Sequence, residues 1–273
     1  MKYAICNETF VDWEWERMLD CIAQLGYDGV EVAPFTLADR ATDISDQRRR
    51  DLRNAALRAG VPVLGLHWLL VKPEGLYVTT PDDAVRSRTA DYFVDLVRLC
   101  ADLGGDLMVI GSPKQRNLLP GITKERALGY AKEVFDRALP EAERCGVTMA
   151  IEPLTPRETD FINTAADGIE LIQRINHPNF RLHLDVKAMS GSESRPLPEV
   201  IKASAKYLHH FHANDPNLLG PGMGEVDHRP IMKALKDIDY KGYVSVEVFD
   251  YRPGAEAIAR ASIQYLNHVA AVA

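Results

Sequence analysis

The stretch Val147-Thr-Met-Ala-Ile-Glu152 is a short apolar run that ends in a carboxylate, as expected for a buried parallel strand. The same pattern returns three times further along the chain. Phe180–Asp185 ends in an aspartate, Tyr207–His212 in a histidine and Tyr243–Glu247 in a glutamate. Four successive strand-like runs therefore each finish on a residue that can bind a metal ion.

Helical segments that end at a glycine and lead into a strand also recur. Val11–Leu25 places apolar residues at helical spacing and is followed by Gly26. The same order is found at Gly60, Gly104 and Gly146, each followed by an apolar run. Glycine just past a helix supplies the left-handed residue that lets the chain turn back. The repeated order indicates alternating helices and strands.

This alternation predicts the fold class. Thr80 and Pro81 are expected to start the third helix, and Thr164 with Asp167 to cap the fifth. Eight helices alternating with eight strands imply parallel strands with right-handed crossovers. An open doubly wound sheet usually carries a glycine-rich turn after its first strand, and Asn7–Phe10 contains no glycine. The sequence therefore predicts a (β/α)₈ TIM barrel that spans residues 1–273 as a single domain. The helices are expected at 11–25, 45–59, 82–103, 123–145, 164–175, 197–205, 230–237 and 255–270.

Composition narrows the possible partners and location. The net charge of −7 argues against a nucleic-acid partner, whose phosphates require a basic surface. The start of the chain has no apolar region of signal-peptide length, and no run approaches a membrane span. The four cysteines are scattered without a Cys-x-x-Cys pair, so we expect reduced thiols in a cytoplasmic protein. A homo-oligomer is compatible with these features.

The residues at the strand ends predict a metal site. In a TIM barrel, active sites lie at the carboxyl ends of the strands, and adjacent strands are about 4.8 Å apart. Glu152, Asp185, His212 and Glu247 end four consecutive strands, so all four side chains can converge on one cation. Three carboxylates and one imidazole form an oxygen-rich site that suits Mn²⁺ best, with Mg²⁺ or Co²⁺ as alternatives and Zn²⁺ less suitable. Glu31, after the second strand, is expected to be an internal ion-pair partner.

The second half of the chain carries a set of recognisable motifs. They are Ile151-Glu-Pro-Leu154, Arg157-Glu-Thr159, Leu184-Asp185, His210-Phe-His212, Gly220-Pro-Gly-Met-Gly224 and Val246-Glu247. With these motifs the sequence resembles the xylose isomerase-like TIM barrels, and within them the sugar phosphate isomerase/epimerase group of ketose 3-epimerases and inosose dehydratases. This resemblance implies the same four metal ligands. It also implies that Glu152 and Glu247 are the catalytic bases.

The expected reaction follows from a metal ion between two carboxylates. A divalent cation can bind the carbonyl and the adjacent hydroxyl of a hydroxy-ketone and stabilise the enediolate formed when a proton is removed. Return of a proton on the opposite face inverts one carbon. The sequence therefore predicts a divalent-metal-dependent epimerase or isomerase of a keto-sugar or keto-polyol.

The sequence predicts the substrate contacts less completely than the metal ligands. Glu158 matches the substrate-side glutamate of the ketose 3-epimerases, and Lys187 is a further candidate contact. His67 is expected either to face the pocket or to form a hydrogen bond inside the barrel. Ala188 and Leu218 depart from the family, because the ketose 3-epimerases carry a histidine and an arginine there.

Alternative interpretations share the barrel. A lyase or dehydratase, acting like an inosose dehydratase or cleaving a keto-glycoside, would use the same metal and base. An apurinic-site endonuclease would need more metal ligands than the sequence offers, and a barrel that only binds sugar would not need two opposed bases. A phosphate held by Lys114, Arg116 and Lys187 is a further possibility for the substrate, although the sequence does not favour it.

Overall fold

The computed structural model describes residues 1–272, and its strands close into a parallel barrel. The eight strands follow one another around the barrel in chain order, β1 to β8, and β8 pairs with β1. This confirms the predicted (β/α)₈ fold. The strands are β1 Lys2–Cys6, β2 Gly29–Val32, β3 Val63–Leu66, β4 Leu107–Ile110, β5 Thr148–Ile151, β6 Phe180–Asp185, β7 Leu208–Ala213 and β8 Tyr243–Val246.

The helices form the outer layer. Within residues 1–272 they are α1 Trp15–Leu25, α2 Asp46–Ala59, α3 Asp83–Leu103, α4 Lys124–Cys145, α5 Ala165–Ile175, α6 Val186–Ser192, α7 Leu197–Ala203, α8 Arg229–Asp237 and α9 Ala255–Val272. The left-handed glycines predicted after the helices are confirmed, with φ from 70° to 92° at Gly26, Gly60, Gly104 and Gly146. The capping box of Thr164 and Asp167 is also confirmed.

Three local predictions were wrong. The first helix begins at Trp15 rather than Val11, and Val11 is exposed in the preceding turn. The third helix is capped by Asp82, whose carboxylate accepts hydrogen bonds from the Ala84 and Val85 amides, so Thr80 does not cap it. The helix α6 was not predicted at all. It follows β6 directly and places a helix N-terminus at the carboxyl end of the barrel.

The core has two parts. The larger lies between the strands and the helices, where branched and aromatic side chains pack. A smaller apolar cluster fills the barrel, formed by Ala4, Leu64, Leu107, Val109 and Ala150. The close packing of the strands here explains why residue 65 is a glycine, because a Cβ on Gly65 would lie only 2.3 Å from the Leu107 carbonyl oxygen. The apolar plug closes the barrel, so the carboxyl ends of the strands form the floor of a pocket.

Two further features of the structure are the state of the cysteines and the length and composition of the helices. Cys6, Cys21, Cys100 and Cys145 are all free thiols, as predicted. No helix in residues 1–272 combines the length and the apolar composition that a membrane span requires.

Candidate active site

The four predicted metal ligands meet at the carboxyl end of the barrel. Asp185 is the last residue of β6 and His212 lies opposite it on β7, while Glu152 and Glu247 directly follow β5 and β8. All four are buried, and one ligand atom from each lies within 4.8 Å of those of the other three. A single cation can therefore contact all four side chains.

Backbone hydrogen bonds fix these positions. The Glu152 amide donates to the Ile110 carbonyl at 3.1 Å, which continues the β4–β5 pairing one residue beyond the strand. The Asp185 carboxylate caps α6 by accepting from the Ala188 amide at 2.7 Å, and its second oxygen accepts from the Asn214 side chain. The local structure thus holds the carboxylates before any ligand binds.

The electrostatics of the cluster favour a cation. Burial and the neighbouring Glu247 carboxylate raise the pKa of Asp185 to about 6. Burial, with Glu247 and Asp185 nearby, also raises the pKa of Glu152 well above its usual value. Burial also acts to raise the pKa of Glu247, but the nearby His212, His67 and Lys187 together outweigh it and lower that pKa. Three buried carboxylates that repel one another form a donor set that a divalent cation would neutralise.

Glu31 orients the histidine of this set. His212 Nε2 lies 3.0 Å from Glu31 Oε1, and its Nδ1 lies 3.1 Å from Glu247 Oε2. Glu31 also contacts His210 Nε2 at 2.8 Å. Although burial opposes it, Glu31 and Glu247 raise the pKa of His212 well above its usual value, so Glu31 and His212 form the expected internal ion pair. With the Nε2 proton directed to Glu31, Nδ1 is the nitrogen that can face a cation. A carboxylate behind a metal-binding histidine commonly fixes the ring in this way.

Sequence reasoning missed two polar residues near the site. Glu8 lies in the short turn after β1, and its Oε2 is 2.7 Å from His67 Nε2. His183 is buried beside His212, with ring centroids 4.2 Å apart, and neither of its ring nitrogens has a hydrogen-bond partner among residues 1–272. Strand alternation could have revealed His183, because it shares a face of β6 with Asp185.

The residues predicted to contact substrate line a small cavity. Glu158, His67 and Lys187 surround it together with Glu152 and Glu247, and its volume is about 90 Å³. We call this space the inner cavity. Lys187 Nζ donates to Glu158 Oε1 at 2.7 Å. His67 fulfils both expectations, because it lines the cavity while its ring contacts Glu8.

Aromatic side chains form one wall of the inner cavity. The Trp68 indole donates a hydrogen bond to Glu247 Oε1 at 2.8 Å and packs between Phe35 and Phe249, with ring centroids 6.2 and 6.1 Å away. Trp68 has φ of 53°, a left-handed conformation that is costly for a side chain of this size. The backbone conformation holds the indole against the candidate base.

The possible phosphate site of Lys114, Arg116 and Lys187 is not formed. Arg116 is buried, and its guanidinium donates to the carbonyl oxygens of Ile110 at 3.2 Å and Glu152 at 2.7 Å. It therefore supports the backbone beneath Glu152 instead of facing the cavity. Lys114 is exposed on the rim and does not line the inner cavity.

Comparisons with known proteins find relatives of this chain among the sugar epimerases. D-psicose 3-epimerase of Ruminiclostridium cellulolyticum is 28% identical over 261 residues, which cover 91% of this chain and 84% of the relative. A probable ketose 3-epimerase of Synechocystis is 25% identical over 283 residues, covering 97% of this chain and 92% of the relative. Both relatives are sugar epimerases, in agreement with the class of enzyme that the sequence predicted.

Comparison of structures gives the same result for the fold. A solved structure of D-psicose 3-epimerase with D-tagatose, from Clostridium cellulolyticum H10, superposes with a TM-score of 0.86 at 24% identity and covers 100% of this chain and 99% of that one. Residues 19–269 match the family model of the xylose isomerase-like TIM barrel. The chain therefore belongs to the xylose isomerase-like TIM barrel family.

Proposed function

We propose that this protein is a divalent-metal-dependent epimerase of a keto-sugar, in which Glu152, Asp185, His212 and Glu247 hold the cation. The observation that carries the proposal is the approach of these four ligand atoms to within 4.8 Å of one another at the floor of a cavity. The similarity to ketose 3-epimerases supports a ketose as the substrate class.

The donor set fits a hard divalent cation, and Mn²⁺ suits it best. The raised pKa values of Asp185 and Glu152 support a cation at this position, because burial and the neighbouring carboxylates both disfavour their charged forms unless a positive charge is present. When bound, such a cation polarises a carbonyl group and makes the neighbouring carbon–hydrogen bond more acidic.

Glu152 and Glu247 supply the proton transfers. They follow β5 and β8 and enter the inner cavity from different sides of the barrel. One carboxylate removes the proton from the carbon next to the carbonyl, and the other returns a proton to the opposite face. The configuration of that carbon is inverted. In the reverse reaction the two carboxylates exchange their roles as acid and base.

Neighbouring residues hold these two carboxylates in place. The Trp68 indole and His212 both contact Glu247, so its carboxylate is fixed at each oxygen. Gly111 leaves the space that Glu152 occupies, because a Cβ there would lie 2.4 Å from Glu152 Oε2. Trp68 and Phe249 also cover the cavity with apolar surface, which limits the access of water to the reacting carbon.

Glu158 and Lys187 complete the proposed site as substrate contacts. Their ion pair presents a carboxylate and an ammonium group to the inner cavity, and both can form hydrogen bonds with sugar hydroxyls. His67, held by Glu8, is the contact proposed on the opposite wall. The free cysteines support a cytoplasmic location.

Exchange of the substrate proton with solvent deuterium tests this proposal. The Mn²⁺-loaded enzyme is expected to exchange the proton next to the carbonyl of a ketose and to form its epimer. Glu152→Gln and Glu247→Gln should each abolish net epimerisation, since one of the two bases is then missing.

Manganese binding to each variant provides the control, because both residues are also proposed ligands. A variant that binds Mn²⁺ but does not epimerise supports the role of its carboxylate as a base. Full exchange in both variants would contradict the mechanism. An eliminated product in place of the epimer would favour the lyase alternative.

A further inference from the structure

A second cavity adjoins the inner cavity. It has a volume of about 380 Å³ and opens toward solvent between the loop after β5 and the helix α6. We call it the outer groove, and the residues that matter here are Arg157, Ser190, Pro216 and Leu218, together with Glu158 and Lys187, which also line the inner cavity. The two spaces therefore share one wall.

That shared wall is an ion pair. Lys187 Nζ contacts Glu158 Oε1 at 2.7 Å and lies 4.0 Å from the centre of the Phe249 ring. The second oxygen of Glu158 accepts hydrogen bonds from the amide and the hydroxyl of Thr155, at 3.1 and 2.8 Å. The pair thus stands between the candidate bases on one side and the outer groove on the other, where it can contact both parts of an extended ligand.

The sizes of the two spaces indicate that the ligand is extended. The inner cavity, at about 90 Å³, is far below the roughly 300 Å³ at which ordinary ligand sites begin. The outer groove alone exceeds that lower limit. A ligand can therefore place its reacting end over the proposed metal ligands in the inner cavity. Its other end would then lie in the larger outer groove, beyond the ion pair.

The chemistry of the outer groove favours an anion on an apolar stem. Arg157 is exposed and, among residues 1–272, its guanidinium makes no hydrogen bond or ion pair, whereas the positive charge of Lys187 is balanced by Glu158. Leu218 is 43% exposed and has φ of 74°, a conformation that disfavours leucine. Leu218 and Pro216 give the groove an apolar wall, and the free guanidinium suits a carboxylate or phosphate.

We infer that the outer groove is a second subsite that binds an oxyanion-bearing substituent of the ketose, with Arg157 as its recognition residue. This inference rests on the proposed function for the position of the reacting end. It makes the substrate a substituted ketose, not a free one. Pro216 and Leu218 contact the stem of the substituent, and the ion pair of Glu158 with Lys187 marks the boundary between the sugar and the substituent.

The test compares matched substrates. D-fructose, its carboxymethyl ethers at the first and at the last carbon, and the uncharged carboxamide ethers of the same shape are supplied to the Mn²⁺-loaded enzyme. Solvent deuterium exchange gives kcat/KM for each. For at least one position of attachment, we expect the carboxylate to be preferred over the carboxamide by about tenfold or more, the usual effect of a hydrogen bond to a charged group.

Two variants and one control locate the effect. Arg157→Gln should remove the preference for carboxylate over carboxamide, and Ser190→Phe, which narrows the groove, should lower kcat/KM for both ethers relative to D-fructose. Arg58→Gln removes a similarly exposed arginine of α2, which makes no ion pair within residues 1–272, and the preference should persist. Equal use of carboxylate and carboxamide by the parent enzyme, or a preference that survives Arg157→Gln, would overturn the subsite.

Failure of the epimerase proposal gives a different experimental result from failure of the subsite. If no ketose undergoes exchange, the epimerase proposal fails, and the subsite is then judged by calorimetric binding of the same ethers. Tighter binding of a carboxylate ether than of its carboxamide, lost in Arg157→Gln, would support the subsite. Equal binding of the two would reject it.

Discussion

The hydrogen bond that His212 donates to Glu31 makes a strong prediction for the substitution Glu31→Gln. Glutamine keeps the shape of the buried side chain but removes its charge. In the native protein, Glu31 Oε1 lies 3.0 Å from His212 Nε2 and Oε2 lies 2.8 Å from His210 Nε2. Although burial opposes it, the two histidines lower the pKa of Glu31 well below its usual value, so the residue is anionic. The substitution should weaken metal binding.

The size of the effect follows from the contacts that change. His212 is a proposed ligand, and His210 is not, so only one of the two charge-assisted contacts acts directly on the cation. A hydrogen bond to a charged group contributes about 1.5–3 kcal/mol. That range corresponds to a loss of roughly 10–100-fold in Mn²⁺ affinity, the usual effect of removing a residue that supports a metal ligand.

Calorimetric titration of the metal-free protein with Mn²⁺ measures this change. Asp28→Asn is the matched control, because it neutralises an exposed carboxylate just before β2, the strand that carries Glu31, at the opposite end of the barrel. Its affinity should equal that of the parent protein. Unchanged Mn²⁺ affinity in Glu31→Gln, with the thermal unfolding transition preserved, would refute the proposed orientation of His212.

Three further predictions test the surroundings of the site. Gly111→Ala should lower kcat for deuterium exchange by at least about tenfold without loss of thermal stability, because the new methyl group would displace the Glu152 carboxylate 2.4 Å away. Arg116→Met should lower the free energy of unfolding in urea by about 2–4 kcal/mol, since two buried carbonyl oxygens lose their donor; an unchanged value would contradict the structural role of Arg116. Affinity for Mn²⁺ should fall as pH drops through about 6, because burial and Glu247 raise the pKa of Asp185 to that value and a proton then competes with the cation. Titrations from about pH 5 to 8 check this, and affinity independent of pH would contradict it.

The fold and the convergence of the four candidate ligands were predictable because the relevant signals are local. Each of the strands concerned is a short apolar run with a candidate ligand at its end, so Glu152, Asp185 and Glu247 stand out in the sequence. His212 stands out because alternation places it on the same face as His210. A closed barrel then brings the four ends together without further information.

The features that were missed depend on contacts that sequence spacing does not encode. The helix α6 is only Val186–Ser192, with serine and glycine near its end, so its propensity is weak. The Asp185 carboxylate stabilises it by capping, and sequence spacing does not indicate that a proposed metal ligand also caps a helix. The pairing of Glu8 with His67 joins residues 59 positions apart, which lie just after strands β1 and β3. Arg116 resembles a rim cation in the sequence and becomes buried only when the loop after β4 folds beneath Glu152.

The central claim is that one divalent cation is bound by side chains from four neighbouring strands. Crystals saturated with Mn²⁺ and measured at the manganese absorption edge test it most directly. We expect one anomalous peak about 2.0–2.3 Å from oxygens of Glu152, Asp185 and Glu247 and from Nδ1 of His212. No peak at this position, or a peak bound by a different set of side chains, would contradict this binding site.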